Sequence, residues 1–202
     1  MRIFPTSTPK RVKVCLVCGA VSCIAAIAML LYVLLASSTG SKGVARFGIE
    51  TLGYCLLCLS SVLILAGVFI NRQEDRKHKE SNQKTTGLTL VIMAVCLFIA
   101  GITFSATSNM SLEMSKDMRK APIAVQVYSV DAQPASKTGE GSLLSPGYYD
   151  VTFMTKEGSE ETAVHVLMKE SEWNSVEQQF EECEKPATLS YYERMKIFMD
   201  IK

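Results

Sequence analysis

Three long stretches without a charged residue divide the first half of the chain. They hold 23, 21 and 28 residues, at positions 14–36, 51–71 and 85–112. About 20 apolar residues in a helix, each rising 1.5 Å, cross the hydrocarbon core of a bilayer. None of the stretches has the polar face of a surface helix in a soluble protein. The pattern therefore predicts three transmembrane helices, at about 14–36, 51–71 and 87–107.

The first stretch follows a basic segment, residues 1–13, and this start is also typical of a signal peptide. The apolar part of a signal peptide runs for about 7 to 15 residues, which is shorter than the 23 found here. A lipoprotein cleavage before Cys23 would leave an apolar N-terminus at residues 24–36. We therefore expect the first stretch to be an uncleaved span.

Basic residues near the spans predict the orientation, because Lys and Arg resist translocation. Residues 1–13 contain four, residues 37–50 contain two, and residues 72–84 contain five. This distribution predicts a cytoplasmic N-terminus, with residues 113–202 on the outer side. Three basic residues soon after the third span favour the opposite orientation: Lys116, Arg119 and Lys120.

After Pro122 the periodicity changes from helical to alternating, which indicates β-strands. Strands are predicted at 123–130, 148–154, 162–168, 187–191 and 195–201, with a loop at 133–147 and a turn at 156–158. Ser171 is expected to cap a short helix with Trp173, Val176 and Phe180 on one face, covering the open end of the sheet. The predicted fold is membrane α-helical, with a C-terminal α+β domain of about five antiparallel strands and one helix.

Two strands in this tail show the cleanest apolar alternation, and we expect their hairpin, residues 149–168, to form the centre of the sheet. In the last strand, Met195, Ile197, Met199 and Ile201 alternate with Lys196, Phe198 and Asp200. The first four are predicted to share one face.

Short motifs in the tail resemble a group of uncharacterised bacterial membrane-anchored proteins with a small β domain. They are Tyr149-Asp-Val-Thr-Phe153, Lys156-Glu-Gly158, Val164 to Met168 with Glu172-Trp173 after it, Thr188-Leu-Ser-Tyr191 and Lys196-Ile-Phe198. The resemblance implies a compact domain outside a bacterial inner membrane, and it implies no activity.

Seven cysteines lie at positions 15, 18, 23, 55, 58, 96 and 183. Cys15 and Cys18, and likewise Cys55 and Cys58, are three residues apart and share a helix face, as a metal site or a redox pair requires. A tetrahedral zinc site would need both pairs together. The predicted topology places Cys15 and Cys18 at the cytoplasmic end of the first span and Cys55 and Cys58 at the outer end of the second. This separation excludes that site.

The segment Phe47-Gly-Ile-Glu-Thr-Leu-Gly-Tyr-Cys55-Leu-Leu-Cys58 resembles the start of the second span in DsbB-type disulfide-oxidising membrane proteins. The resemblance implies a redox pair at Cys55 and Cys58 that passes electrons from an exported thiol to a quinone. That family has Gln-Arg after its cysteine pair, where this chain has Ser60-Ser61 close by, and it has a second outer cysteine pair, where this chain has only Cys183.

The alternative for the span cysteines is packing, since cysteine is a small buried hydrophobe. Packing is the favoured interpretation, for Cys55 and Cys58 as well, and redox chemistry at this pair stays open. Cys183 is expected to be buried under the short helix or paired between chains. His165, on a strand, and His78, in a charged loop, are expected to have no metal ligands nearby.

Composition and charge exclude some classes of function. The chain is 48% hydrophobic with a net charge of +1 and a mean hydropathy of +0.19, which is more apolar than a small soluble domain needs. Residues 1–106 carry 11 basic and 4 acidic residues, against 10 and 16 in residues 107–202. No basic stripe indicates a nucleic-acid partner, and the spans lack the ionisable groups that transport requires.

These observations predict an integral membrane protein that presents an extracytoplasmic binding or assembly domain. It would be a non-enzymatic subunit or accessory factor of an envelope complex, with the bilayer and other membrane or envelope proteins as partners. No metal or cofactor is expected. The alternative is a thiol-disulfide oxidoreductase that uses Cys55, Cys58 and a quinone.

Overall fold

The computed structural model describes residues 10–77, 83–135, 147–157 and 160–202. Its first half contains three helices: α1 (Lys10–Leu35), α2 (Gly40–Lys77) and α3 (Gln83–Asp117). In the described residues, each of the three is long and apolar enough to cross a membrane. α2 and α3 extend beyond the predicted spans at both ends, and α1 begins before its predicted span and ends at Leu35, one residue before the predicted end. The 38 residues of α2 correspond to about 57 Å, so its polar ends reach past a hydrocarbon core of about 30 Å.

Close packing of α1 against α2 depends on glycines. A Cβ atom on Gly19 would lie 2.8 Å from Cγ1 of Ile64, and one on Gly67 would lie 3.1 Å from Cδ2 of Leu16. The Ser60 hydroxyl donates a hydrogen bond of 2.8 Å to the Gly19 carbonyl across the same interface. Small residues let membrane helices approach closely, and a hydroxyl bonded between them strengthens the contact.

The outer surface of α3 is apolar. Phe98 is 70% exposed and Phe104 is 65% exposed, as expected for side chains that face lipid. The hydroxyls of Thr103 and Thr107 donate to the carbonyls of Ile99 and Thr103, one turn earlier in the helix. These two hydroxyls are therefore satisfied within the helix itself.

The tail contains five strands and one helix among its described residues, which confirms the predicted fold class. In chain order these are β1 (Ile123–Pro134), β2 (Tyr148–Glu157), β3 (Glu160–Lys169), α4 (Glu170–Glu182), β4 (Ala187–Tyr192) and β5 (Ile197–Ile201). The strands form one sheet in the order β3-β2-β1-β4-β5, and every neighbouring pair is antiparallel.

The centre of the sheet differs from the prediction. The β2–β3 hairpin lies on one side of the sheet, and β1 is central because its first half pairs with β4 and its second half with β2. The 12 residues of β1 are long enough for both partners. The alternation of apolar and polar residues in β2 and β3 shows that these strands have one buried face and one polar face. Alternation alone does not distinguish a central strand from an edge strand.

The core lies between one face of the sheet and α4. Trp173, Val176 and Phe180 are buried there, as predicted, against sheet residues that include Phe153 and Leu189. The helix covers a face of the sheet, and the expectation that it covers the open end was wrong. Its N-cap is Lys169 rather than Ser171, because the chain passes from β3 into α4 without a loop.

Four further local predictions were wrong. The residues Lys156 and Glu157 of the predicted turn belong to β2, and Gly158 lies outside the described residues. In the predicted loop, Gln133 and Pro134 belong to β1, and residues 136–146 lie outside the described residues. Met195 and Lys196 precede β5. Phe198 is buried with Ile201 in the core, since a shift in the β4–β5 register between Ser190 and Tyr191 changes which side chains face inward.

The chain folds into two compact units. One combines residues up to Leu30 with Glu50–Asn109, and the other combines Leu31–Ile49 with Met110–Lys202. The second unit therefore includes the connection between α1 and α2 and the end of α3, besides the sheet and α4.

Candidate functional site

Within the second unit, the carboxylate of Glu172 holds the connection between α1 and α2. The Ser38 backbone N–H donates to it at 2.8 Å and the Ser37 hydroxyl at 2.5 Å. The Ser38 hydroxyl also donates to this carboxylate, and so does the Lys169 backbone N–H, at 3.2 Å. We call these four residues the Glu172 anchor.

The charge of Glu172 is stabilised at this position. Burial alone would raise its pKa, but the hydrogen bonds from Ser37, Ser38 and the Lys169 amide together lower the pKa below its ordinary value. The carboxylate is therefore ionised at neutral pH. Its position in the first turn of α4 is favourable as well, because the N-terminus of a helix is the positive end of its dipole.

A second carboxylate, Asp117 at the end of α3, holds the turn between β4 and β5. Asp117 is buried, at 7% exposure, and one of its oxygens accepts the backbone N–H groups of Arg194 at 3.0 Å and Met195 at 2.9 Å. We call this contact the Asp117 anchor. A buried carboxylate that accepts two amides fixes the turn.

An arginine adds a third contact between the start of α2 and the sheet. The Arg46 guanidinium lies 5.2 Å from the centre of the Tyr148 ring, and its Nε donates to the Val33 carbonyl at 3.2 Å. The guanidinium thus forms a cation–π contact with an aromatic ring and bonds the end of α1 at the same time.

The face of the sheet away from α4 carries polar side chains. Asp150 and His165 lie 3.2 Å apart, carboxylate oxygen to Nδ1, and the Thr152 hydroxyl lies 3.3 Å from the same nitrogen. The expectation that His165 has no potential ligand nearby was wrong, since strand pairing brings Asp150 beside it. Among the described residues no group of three His, Cys, Asp or Glu side chains is arranged to hold a metal ion.

The cysteines occupy several environments, and all seven are free thiols. Cys55 is exposed on α2. The Cys58 thiol lies 3.8 Å from the Ala100 carbonyl of α3, a weak hydrogen bond. Cys183 is partly buried and packs against the core of the tail. His78 lies outside the described residues.

Comparison with protein-family models, with curated proteins and with solved structures finds no match. The two resemblances drawn from short motifs therefore stay predictions.

Sequence reasoning missed both anchors. Glu172 was part of a motif that named no partner, and Asp117 was not singled out by any sequence pattern. The one available signal was local: an acidic residue two positions after the start of a helix is typical of an N-terminal capping role. The bonds to Ser37 and Ser38 join residues about 135 positions apart, and only the fold brings them together.

Proposed function

We propose that this chain is an integral membrane protein with a cytoplasmic N-terminus, and that its tail is an extracytoplasmic binding or assembly module. In this proposal it is a non-enzymatic accessory subunit of a bacterial envelope complex. The partner is another membrane or envelope protein. The three apolar helices support the membrane location, and the basic residues near the spans support the orientation.

The observation that carries the proposal is the double anchoring of the tail. The Glu172 anchor binds the connection between α1 and α2, and the Asp117 anchor binds the end of α3. The sheet is thus fastened to residues that continue directly from all three candidate spans. These contacts preorganise the second unit, which favours binding because each mobile group ordered on binding reduces affinity.

The polar face of the sheet is the surface that this arrangement leaves for a partner. Asp131, Gln133, Thr152 and His165 lie on it, and the buried carboxylate of Asp150 supports His165. Such a surface suits a polar, hydrogen-bonded interface rather than an obligate apolar one.

Site-specific photo-crosslinking in native membranes tests this proposal. A photoreactive residue in place of His165 or Asp131 should give one discrete adduct with a membrane or envelope protein. Gln178, exposed on α4 at the opposite face of the sheet, is the matched control and should give none. Absence of an adduct from both sheet positions would contradict a binding role for this face.

Orientation is tested separately. Trypsin added to the outer side of spheroplasts should cleave the tail, and cleavage only after the membrane is permeabilised would contradict the N-in, C-out arrangement.

A further inference from the structure

A small basic cleft lies between the end of α3 and the turn that joins β4 to β5. Its volume is about 30 Å³, and its lining includes Lys116, Lys120, Ile123, Tyr192 and Arg194. Lys116 lies in the last turn of α3 and Lys120 just after the end of the helix, and both line the cleft. Arg194 is brought opposite them because its backbone N–H is bound by Asp117. Three cationic side chains from two distant segments therefore share one cleft.

The charge of this cleft is positive where it is open. Lys116, Lys120 and Arg194 are exposed. The cleft also contains Asp117, whose carboxylate is buried and already accepts two backbone amides. Glu193 lines the cleft as well and is exposed, so three exposed cations face one exposed carboxylate and the net charge of the opening is positive. Among the described residues, none of the three cations forms an ion pair. The cleft therefore offers donors to an anion from outside the chain.

The position of the cleft along α3 points to the source of that anion. The uncharged stretch of this helix ends at Leu112, and Lys116 lies about 6 Å further along the axis. The headgroup layer of a bilayer is roughly 5 to 8 Å thick on each side of the hydrocarbon core. Lys116 is thus the first cationic residue after the uncharged stretch of α3, on the side where the headgroup layer lies.

Apolar side chains lie beside the cations. Leu112 and Met118 are each 53% exposed, and Ile123, in the lining of the cleft, is 39% exposed. A surface that combines exposed apolar groups with Lys and Arg matches a lipid, which has a phosphate and a glycerol-acyl region. A free phosphate ion would use only the cations.

Tyr191 also contributes to the wall of the cleft. Burial and the nearby Glu193 raise the pKa of Tyr191, so its hydroxyl keeps its proton at neutral pH. The guanidinium of Arg194 can bind two phosphate oxygens in parallel, and the two ammonium groups can bind the remaining charge.

We propose that this cleft binds the phosphate of an anionic phospholipid, with Lys116, Lys120 and Arg194 as its ligands. The lipid then fixes the tail against the headgroup layer on the side of the membrane where α3 ends. This inference requires only that α3 spans the membrane, so it stands whether or not the tail has a protein partner.

Lysine labelling of the full-length protein in nanodiscs measures this binding at single residues. One preparation contains phosphatidylcholine alone, and the other contains phosphatidylcholine with phosphatidylglycerol. Acetylation of Lys116 and Lys120, quantified by peptide mass spectrometry, should fall about fivefold in the anionic nanodiscs. Lys42, an exposed lysine at the start of α2, is the control for the general surface charge and should change much less.

The Arg194→Gln variant separates the cleft from a general surface effect. Its backbone N–H still binds Asp117, so the turn is retained. In anionic nanodiscs this variant should lose most of the protection of Lys116 and Lys120, while Lys42 stays as in the wild type. Equal protection of all three lysines, or protection unaffected by Arg194→Gln, would overturn the proposal.

A control experiment with a soluble phosphate compound distinguishes binding of the lipid from binding of free phosphate. Glycerol 3-phosphate, added to phosphatidylcholine nanodiscs at the same phosphate concentration, should leave Lys116 and Lys120 unprotected. Protection equal to that from phosphatidylglycerol would show a site for soluble phosphates and would overturn the assignment to a lipid.

Discussion

The carboxylate of Glu172 accepts the backbone N–H of Ser38 at 2.8 Å, although the two residues are 134 positions apart. Ser38 follows the last residues of α1, and Glu172 lies in the first turn of α4. One charged group thus caps a helix of the tail and holds the connection between two candidate membrane spans.

Replacing Glu172 with Ala should destabilise the second unit by about 1 to 3 kcal/mol, because two backbone amides and two hydroxyls lose their acceptor. Trp173 is the single tryptophan of the chain and is buried beside the anchor, so its fluorescence in the detergent-solubilised protein follows unfolding. Glu177→Ala, at an exposed site on the same helix, is the control and should change the midpoint little. Equal midpoints for the two variants would show that the anchor contributes nothing.

The same contact predicts a dependence on pH. Because the pKa of Glu172 is lowered in the folded protein, its contribution is fully present above the unfolded pKa and is lost as the pH falls through the folded pKa. The wild type should therefore lose more stability on acidification than Glu172→Gln, which keeps part of the hydrogen bonding but does not titrate. Parallel pH profiles for the two proteins would contradict this assignment.

Replacing Asp117 with Ala should loosen the turn between β4 and β5. The amides of Arg194 and Met195 lose their acceptor, at a cost of about 1 to 3 kcal/mol. The rate of trypsin cleavage in the turn measures this loosening, since Arg194 and Lys196 are both cleavage sites there. Cleavage there should accelerate relative to cleavage after Lys169, which lies in a different part of the tail. Asp117→Asn keeps an oxygen acceptor and should restore part of the protection; a rate as fast as that of Asp117→Ala would show that the negative charge is essential.

The spans and strands could be predicted because each depends on local periodicity. Uncharged stretches of 20 residues or more mark the helices, and alternation marks the strands. The stripe of Trp173, Val176 and Phe180 likewise follows from helix geometry alone. These features need no knowledge of which segments meet in space.

The features that the sequence did not predict depend on which segments meet. The central position of β1 follows from pairing with two partners, and the inward side of Phe198 follows from a register shift between β4 and β5. Both anchors join distant residues as well. Ser38 and Glu172 are common polar residues, and neither has a local pattern that predicts the other.

Replacing Gly19 or Gly67 with Ala should weaken the packing of α1 on α2. The added methyl would lie 2.8 Å from Ile64 or 3.1 Å from Leu16, and overpacking of this kind costs about 1 to 3 kcal/mol. Gly101→Ala is the matched control, because an added Cβ atom there has no atom within 4 Å. Unfolding in mixed detergent and SDS, followed by circular dichroism, should separate the variants. A loss as large for Gly101→Ala would contradict the close approach of these helices.

Replacing Phe153 with Ala should remove a central part of the core of the tail. Phe153 is fully buried and its ring centre lies 6.2 Å from that of Phe198. Loss of a buried phenylalanine costs about 3 to 5 kcal/mol, a large share of the stability of a domain of this size. Trp173 fluorescence again measures the loss, and Thr152→Ala, on the opposite face of β2, should have a much smaller effect. Comparable losses would show that the two faces of β2 are assigned incorrectly.

Replacing Cys55 and Cys58 together with Ala tests the two functions against each other. If the thiols serve packing, as we predict, the variant should lose little stability, because the bond of Cys58 to Ala100 is weak and Cys55 is exposed. Disulfides in other exported proteins should then form normally, as measured by thiol alkylation of the cell envelope fraction. If the thiols are catalytic, a Cys55–Cys58 disulfide would oxidise an exported dithiol and pass its two electrons to a quinone, giving the quinol. A Cys58→Ala variant would then trap a mixed disulfide between Cys55 and the exported thiol, or the Cys55→Ala variant would trap one at Cys58. A trapped adduct that disappears in the double variant would reverse our prediction and establish the redox role.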